Sequence, residues 1–470
     1  MTAAPLWTGV EAAIATGGRN TQDWSAMGAS IDSRTTAKGD LFVAIEGPVF
    51  DGHKFVDAAF ANGAAAGLVS AIPGELPEAS ALHVVDDTMA ALTALGTASR
   101  ARTSARIAAV TGSAGKTGTK EALRHVLEAQ GPTSASRSSF NNHWGVPLSL
   151  ARMPAETAFG IFEVGMNHAG EIEPLSRLIQ PHVAIITTVE AAHLEYFDSV
   201  EAIADAKAEI FIGVEPGGTA VLYRDNLHFE RLEAAARRCG ITNVVSFGGT
   251  ARCDVRLNAL IPADEHSDVI AEVHGRRIEY RLGVPGRHWV LNSLAVLATV
   301  EAFGADIWAA ARKLPTLGAL AGRGKTHHVT IDGAAIILID ESYNANPASI
   351  RTALETLGRI RPKSHGRRIA VLGEMRELGS RSESLHAELA DPVTANGIDL
   401  VFAAGEMRAL FDRLPPGVGA AYGETGIDLI DDIRDAVRPG DVVMIKGSNA
   451  SRMAAVVEAL LDADAKSDNG

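Results

Sequence analysis

Residues 107–120 read IAAVTGSAGKTGTK, and their parsing decides the architecture. The apolar run Ile107 to Val110 stops at a small, glycine-broken loop. The loop ends in Gly115-Lys116-Thr117, and a helical pattern follows at once. Strand, glycine loop and helix let backbone N–H groups converge on phosphate oxygens, and the helix N-terminus adds partial positive charge. Gly112, Ser113, Ala114, Gly115 and Gly118 then form or flank a nucleotide cradle. Lys116 reaches the β- and γ-phosphates, and the Thr117 hydroxyl ligates Mg²⁺. The glycine that usually opens a Walker A loop is missing, and its place falls on Val110. A plain glycine turn beside a solvated lysine is the competing reading. The strong strand before the loop and the helix after it weigh against that.

Working outward, strand, loop and helix repeat. "AFGIFEVG" (158–165) and "HVAIITTV" (182–189) are apolar, β-branched runs suited to buried parallel strands. A further unit begins at "AAIILID" (334–340) and continues through "RRIAVLGEM" (367–375), "DLVFAAG" (399–405) and "DVVMIKGS" (441–448), with helical stretches between. That alternation predicts a second open α/β sheet. Ahead of the loop, "DLFVAI" (40–45) is strand-like and "AALTALGTASRAR" (90–102) is helical. The fold class is therefore α/β in three domains. They are a small α/β N-terminal domain at 1–105, a central P-loop-type domain with a mostly parallel sheet at 106–322, and a C-terminal Rossmann-like α/β domain at 323–470. The glycine-rich "GALAGRGK" (318–325) reads as a hinge or as an ordinary surface turn. The stretch from about 225 to 280 carries little pattern, and no site is assigned there.

Length supports this division, since 470 residues correspond to about three domains at roughly 150 residues each. With 46% hydrophobic and 21% charged residues the chain is globular, and a net charge of −14 argues against a nucleic-acid groove. Anionic ligands must be held by local cations against that field. Cys239 and Cys253 form neither a disulfide framework nor a metal cluster, and read as reduced, idle thiols. No basic residue precedes Arg19, so the start is not a secretory signal, and no apolar run approaches a bilayer-spanning length. A cytoplasmic protein without membrane insertion is expected, with a polar, frayed tail.

A Mg²⁺ site needs further hard oxygens. Glu163 ends the strand in "GIFEVGMNHAGEI", where parallel strands face a ligand crevice. Taken alone, His193 in "VEAAHLEYF" reads as a satisfied histidine, and Lys207 in "ADAKAEIF" as a solvated helix lysine.

Together these pieces resemble the Mur ligases. "VTGSAGKTGTK" is similar to that family's short phosphate loop, which lacks the first Walker A glycine. "NNHWGVPLSL" (141–150), "EVGMNHAGEI" (163–172), "AAHLEYF" (191–197), "AKAEIF" (206–211), "PGRHWVLNSLA" (285–295), "AGRG" (321–324), "DESYNANPASI" (340–350), "GEMRELG" (373–379) and "KGSNA" (446–450) follow in family order. The set in order is specific and covers nearly the whole chain. "DSRTTAKGDLFVAI" and "DGHKFV" resemble the family's uridine-nucleotide domain. Two departures stand out. Ala114 replaces a common serine, and Gly118 stands where serine is usual.

The resemblance implies ATP-driven amide formation through an acyl phosphate. The forms of "DESYNAN" and "NNHWGVPL" favour the member that joins D-alanyl-D-alanine to UDP-N-acetylmuramoyl-tripeptide, over members that add a single amino acid. A nucleotide-binding scaffold without synthetic activity is the reading from another class. By the same resemblance Thr117 and Glu163 match ligands of a first Mg²⁺, His193 a ligand of a second, and Lys207 a lysine that becomes carbamylated. Lys116, His193 and Lys207 are thereby the catalytic candidates. Asn292 matches an adenine contact, while Arg323 and Asp340 match ribose- and phosphate-side contacts. Tyr343, Asn344 and Asn346 follow on the same exit loop. Lys446 and Ser448 face the phosphates or the incoming dipeptide. Asn141, Asn142, Asn167 and His168 flank the crevice and support substrate or metal, with turn capping the competing reading for the asparagines. Ser33 and Arg34 match a diphosphate contact, and Asp51, Gly52 and His53 a uracil-side loop, although a plain Asx turn also explains "DGH". A monomer that closes around ATP is expected.

Overall fold

The computed structural model describes residues 4–467, other than 48–49, 75, 77–79, 138–139, 193, 264, 332 and 364. Among the described residues the strands form three main sheets, of five, nine and six strands, and a two-stranded ribbon. The first lies between Arg19 and Val84. Its strands Gly28–Ser30, Asp40–Val43, Ala66–Val69 and Leu82–Val84 run parallel. The helix Thr88–Ala101, capped by the Asp87 carboxylate, leads out of this unit. It packs on Gly145–Ala151, a helix buried along its whole length. A side chain at Gly96 would meet the Pro147 carbonyl at 3.1 Å. The Trp7 indole N–H donates to the Ala151 carbonyl (2.8 Å), fastening the two-stranded ribbon to the helix Gly145–Ala151.

The nine-stranded sheet holds the phosphate-loop strand, Arg106–Thr111, between Phe159–Glu163 and Val183–Ile186, all parallel. These are the continuous apolar runs of the sequence. Both faces are covered, which is why the strands do not alternate. Parallel pairing continues through Thr219–Tyr223 and Asn243–Gly248 to Val255–Pro262. The sheet then turns antiparallel through Ser267–Val273 and Arg276–Leu282. The weakly patterned stretch from about 225 to 280 thus holds the helix Phe229–Arg238, the parallel strand Asn243–Gly248 and most of this wing. Its last strand buries every second residue (Ile278, Tyr280, Leu282) and turns Arg277, Glu279 and Arg281 outward.

The six-stranded sheet contains the expected runs as Ala334–Glu341, Arg368–Gly373, Leu400–Ala404 and Val442–Lys446. An antiparallel strand, Lys325–Ile331, is added at one edge and Gly419–Gly423 at the other. The architecture is α/β with mostly parallel sheets, as the alternation predicts. The glycine-rich stretch at 318–325 is a turn fastened to the last sheet. The Gly322 N–H donates to Asp340 Oδ2 (2.6 Å), and the Gly324 N–H to the Asp340 carbonyl (2.8 Å). Both glycines have positive φ, +72° and +90°, which L side chains rarely adopt. No helix among the described residues is long and apolar enough to cross a membrane.

Candidate active site

Val110 stands at the missing glycine because the strand has not yet ended there. It is buried and in register with Glu163 on one side and Ile185 on the other. The loop begins at Gly112 (φ +147°) and ends at Gly115 (φ +81°), the N-cap of the helix Lys116–Leu127. A side chain at Gly112 would come within 2.0 Å of Thr187 Oγ1. Thr187 donates in turn to the Ala114 carbonyl (2.5 Å). The Ser113 N–H donates to the Thr188 carbonyl (2.9 Å), and the Ser113 hydroxyl exchanges hydrogen bonds with the Glu190 backbone. The loop is therefore held by the exit of the neighbouring strand. Sequence reading did not single out Thr187, Thr188 and Glu190. Their place at the carboxyl end of a parallel strand was the available signal.

Lys116 curls over the loop and donates to the Gly112 carbonyl (2.8 Å). Burial holds its ammonium below the ordinary lysine range. Arg323 pushes the same way and Glu163 opposes. The Thr117 hydroxyl donates to Glu163 Oε2 (2.7 Å), and the Asn141 amide to Glu163 Oε1 (2.9 Å). The Glu163 N–H is held by Ser136 Oγ (3.1 Å), another group the sequence did not flag. Lys207, in the last turn of Val200–Ala208, is 1% exposed. Its pKa lies well below the ordinary lysine value, first because of burial and then because Lys116 is near. The solvated helix lysine of the sequence is thus a buried amine. His193 lies outside the described residues.

A cleft of about 820 Å³ opens above the loop. The central sheet contributes Ser113 to Gly118, Asn141, Glu163, Asn167, Glu190, His288, Trp289 and Asn292. The last sheet and its turn contribute Arg323, Tyr343, Asn344, Asn346, Arg376, Lys446 and Ser448. The two sides touch where the Asn346 amide donates to the Ser113 carbonyl (3.3 Å) and the Glu195 N–H to the Glu377 carbonyl (3.0 Å). Asn346 also caps the helix Pro347–Arg359. Lys446, buried at the end of its strand, donates to Glu341 Oε2 (3.3 Å) and the Asn344 carbonyl (3.0 Å). The Arg323 guanidinium lies 4.1 Å above the Tyr343 ring. Asp340 is buried with both oxygens engaged, by the Gly322 N–H and by Ser342, so it shapes the turn that carries Arg323. Ser448 Oγ and His288 Nδ1 are buried without a hydrogen-bond partner among the described residues. His168 pairs with Glu171 (3.1 Å) and packs on Tyr196.

Of the expected residues, Gly112, Asn142, His168, Lys207 and Asp340 do not line this cleft, nor do Ser33, Arg34, Asp51 and His53. Asn142 accepts from the N–H of Gly145 (3.0 Å), the first residue of the helix Gly145–Ala151. In the first unit Arg34 is paired with Asp32 (2.7 Å), and Ser33 lends its carbonyl to Asn62. Asp51 accepts from the His53 backbone N–H (2.9 Å) and from its Nδ1 (2.8 Å), while His53 Nε2 accepts from the Ser70 N–H (2.9 Å).

A parallel sheet with a lysine–threonine glycine loop, a strand-end carboxylate and a second α/β unit over the cleft defines a phosphate-loop nucleotide-binding protein. Residues 27–100 match the model described as Mur ligase family, catalytic domain. Residues 110–300 match the Mur ligase middle domain, and 322–449 the Mur ligase, glutamate ligase domain. The chain belongs to the Mur ligase family. It is 31% identical over 454 residues to the UDP-N-acetylmuramoyl-tripeptide--D-alanyl-D-alanine ligase of Rickettsia prowazekii, covering 96% of this chain and 99% of that one. The crystal structure of MurF from Acinetobacter baumannii superposes with a TM-score of 0.85 at 28% identity, over 98% of this chain and all of that one. MurF ligase from Thermotoga maritima, solved in complex with ADP, gives 0.76 at 27% identity, over 93% and 98%.

Proposed function

We propose that this protein joins D-alanyl-D-alanine to UDP-N-acetylmuramoyl-tripeptide, converting ATP to ADP and phosphate, in the synthesis of the peptidoglycan precursor. Full-length likeness to ligases of that name supports the substrate pair. One structural observation carries the chemistry: Lys116, Thr117 and Glu163 share a cleft with Arg323 and Lys446 of the facing unit. We place the enzyme in the cytoplasm and propose that it acts as a monomer. Its working units correspond to residues 1–105, 106–322 and 323–470.

The obstacle is anion meeting anion. Two unit charges about 4 Å apart repel by roughly 4 kcal/mol at an effective dielectric near 20. Lys116 exchanges the Gly112 carbonyl for phosphate oxygens, and the loop N–H groups hold the same phosphates. Arg323 and Lys446 approach from the other side. The tripeptide carboxylate attacks the γ-phosphorus, giving an acyl phosphate and ADP. The dipeptide amine then attacks the acyl carbon, and phosphate leaves. Asn292 holds the adenine. Ser33, Arg34, Asp51 and His53 hold the uridine diphosphate of the other substrate.

The residues present fit Mg²⁺. The Thr117 hydroxyl and the Glu163 carboxylate are adjacent hard oxygens, and Mg²⁺ is commonly held by one or two carboxylates together with substrate phosphates. No group of three His, Cys, Asp or Glu among the described residues would hold a metal unaided. When bound, Mg²⁺ neutralises phosphate charge and stabilises the transferring group. We assign a second Mg²⁺ to His193 and a carbamylated Lys207. A buried lysine with a depressed pKa has a neutral amine available. Its Nζ lone pair attacks the carbon of CO₂, the nitrogen loses a proton, and the amine becomes a carbamate anion beside Lys116.

The decisive experiment is phosphate release with the tripeptide nucleotide, crossing D-alanyl-D-alanine against single amino acids. Release with the dipeptide alone is expected. Lys116→Ala is expected to lower it about a thousandfold, the loss typical of removing one preorganised stabiliser of transition-state charge. Equal release with a single amino acid, or normal turnover without Lys116, overturns the proposal.

A further inference from the structure

The phosphate-loop helix Lys116–Leu127 and the helix Arg287–Ala302 meet along two matched contacts. On one side stand Gly115 and Gly118; on the other, at the same spacing, Asn292 and Trp289. A Cβ on Gly115 would lie 2.9 Å from Asn292 Oδ1, and a Cβ on Gly118 2.9 Å from Cη2 and 3.0 Å from Cζ3 of the Trp289 ring. Carbon atoms pack comfortably at about 3.5–4.0 Å, so neither site accepts a side chain without movement. Gly115 has a second reason to be glycine, its φ of +81°. Gly118 has none. It sits inside the helix without a positive φ, where glycine is about 1 kcal/mol less favourable than alanine. Only the approach of Trp289 accounts for it. Trp289 is 5% exposed, yet it reaches the cleft between the phosphate loop and Asn292. Its Nε1 also lies 3.9 Å from the Cβ position of Gly324, in the turn that leads to the last sheet.

We infer that Trp289, seated on the bare helix at Gly118, is a positioning residue that sets the distance between the phosphate cradle and the adenine contact Asn292, and thereby governs affinity for adenosine nucleotides. The inference rests on reading the cleft as the ATP site. Cradle and base contact belong to different helices, so one ligand spans both. A relative displacement of about 1 Å is enough to degrade such a fit strongly. Trp289 is large and rigid, and its ring fills the space beside Gly118 where the two helices meet. A serine at 118 would push them apart. Gly118 and Trp289 are therefore one feature.

The test is calorimetric, on the full chain with MgCl₂, using ADP and inorganic tripolyphosphate as probes. Tripolyphosphate engages only the cradle. Gly118→Ser is expected to weaken ADP about tenfold or more, the order that overpacking a tight contact produces, and to change tripolyphosphate by less than about twofold. Gly118→Ser with Trp289→Leu is expected to recover ADP affinity to within about threefold of the parent. Should Gly118→Ser not fold, Trp289→Leu alone opens space instead of closing it, and is expected to weaken ADP and spare tripolyphosphate. Unchanged ADP affinity in Gly118→Ser or in Trp289→Leu, parallel weakening of both probes, or a double variant no better than Gly118→Ser overturns the inference. Because ADP binding requires no acceptor, failure of the dipeptide assay with these affinities intact overturns only the proposed reaction. A parent chain that binds no ADP overturns both.

Discussion

At the scale of residues, the charge of Lys207 is the point on which the site turns. A lysine 1% exposed is held well below its ordinary pKa, first by burial and then by Lys116, which favours the uncharged amine. Carbamylation is then expected to give a carbonyl-carbon NMR signal with isotope-labelled bicarbonate, and Lys207→Met to abolish it. A signal unchanged in that variant would place the modification elsewhere. Lys116, Thr117 and Glu163 were legible in the sequence because each is local to a strand–loop–helix junction or ends the next apolar strand. The burial of Lys207 was not. It depends on which face of Val200–Ala208 packs inward, and "ADAKAEIF" alone suits a solvated face equally well. The partners Ser136 and Thr187 were illegible for a related reason. Their side chains act through backbone groups of other segments, and no spacing records that.

At the scale of elements, the loop at 373–379 shows how a local structure becomes sensitive to acid. His386, fully buried, accepts from the Met375 N–H at Nε2 (2.9 Å) and donates from Nδ1 to the Ser382 carbonyl (2.8 Å). A second proton would set two N–H groups against each other. Burial holds the folded imidazole below its ordinary value of 6.5, and the Ser382 carbonyl opposes only in part. Below pH 6.5 the unfolded chain therefore binds the proton that the folded chain refuses. Stability falls through this site by up to about 1.4 kcal/mol per pH unit until the folded pKa is reached. The melting temperature is expected to drop between pH 7 and 5, and His386→Gln to show a shallower drop. Equal slopes would assign the acid sensitivity to other groups. Elements themselves were the most legible level. The runs at 107–110, 158–165, 182–189, 334–340, 367–375, 399–405 and 441–448 all become strands. The wing from Val255 to Leu282 alternates with period two, as in "SDVIAEV" and "RRIEYRL". It passed unnoticed because its charged outward positions mask the apolar ones.

At the scale of the molecule, the cleft is complete only because two units meet across it. Asn346 does two things there. Its Oδ1 caps the helix Pro347–Arg359 by accepting from the Ser349 N–H (2.8 Å), and its Nδ2 donates to Ser113 in the phosphate loop. Asn346→Asp keeps the cap and removes the bridge. Small-angle scattering is expected to show the parent chain compacting with an ATP analogue and the tripeptide nucleotide, and the variant compacting less at unchanged melting temperature. No compaction in the parent would remove closure from the account. That separate α/β units exist was readable from their alternation. Which loops face each other was not, since the contact joins residues 233 positions apart.

The outermost strand of the central sheet, Arg276–Leu282, leaves a row of backbone groups facing outward. Arg276 and His274 converge on Glu301, and Arg281 on Asp268. Such charged rims discourage a foreign strand from adding itself to an open sheet. Replacing Arg277, Glu279 and Arg281 by threonine should accordingly leave nucleotide affinity alone and shorten the shelf life of concentrated stocks, seen as rising light scattering. Solutions that stay clear would mean the rim is guarded by twist rather than by charge.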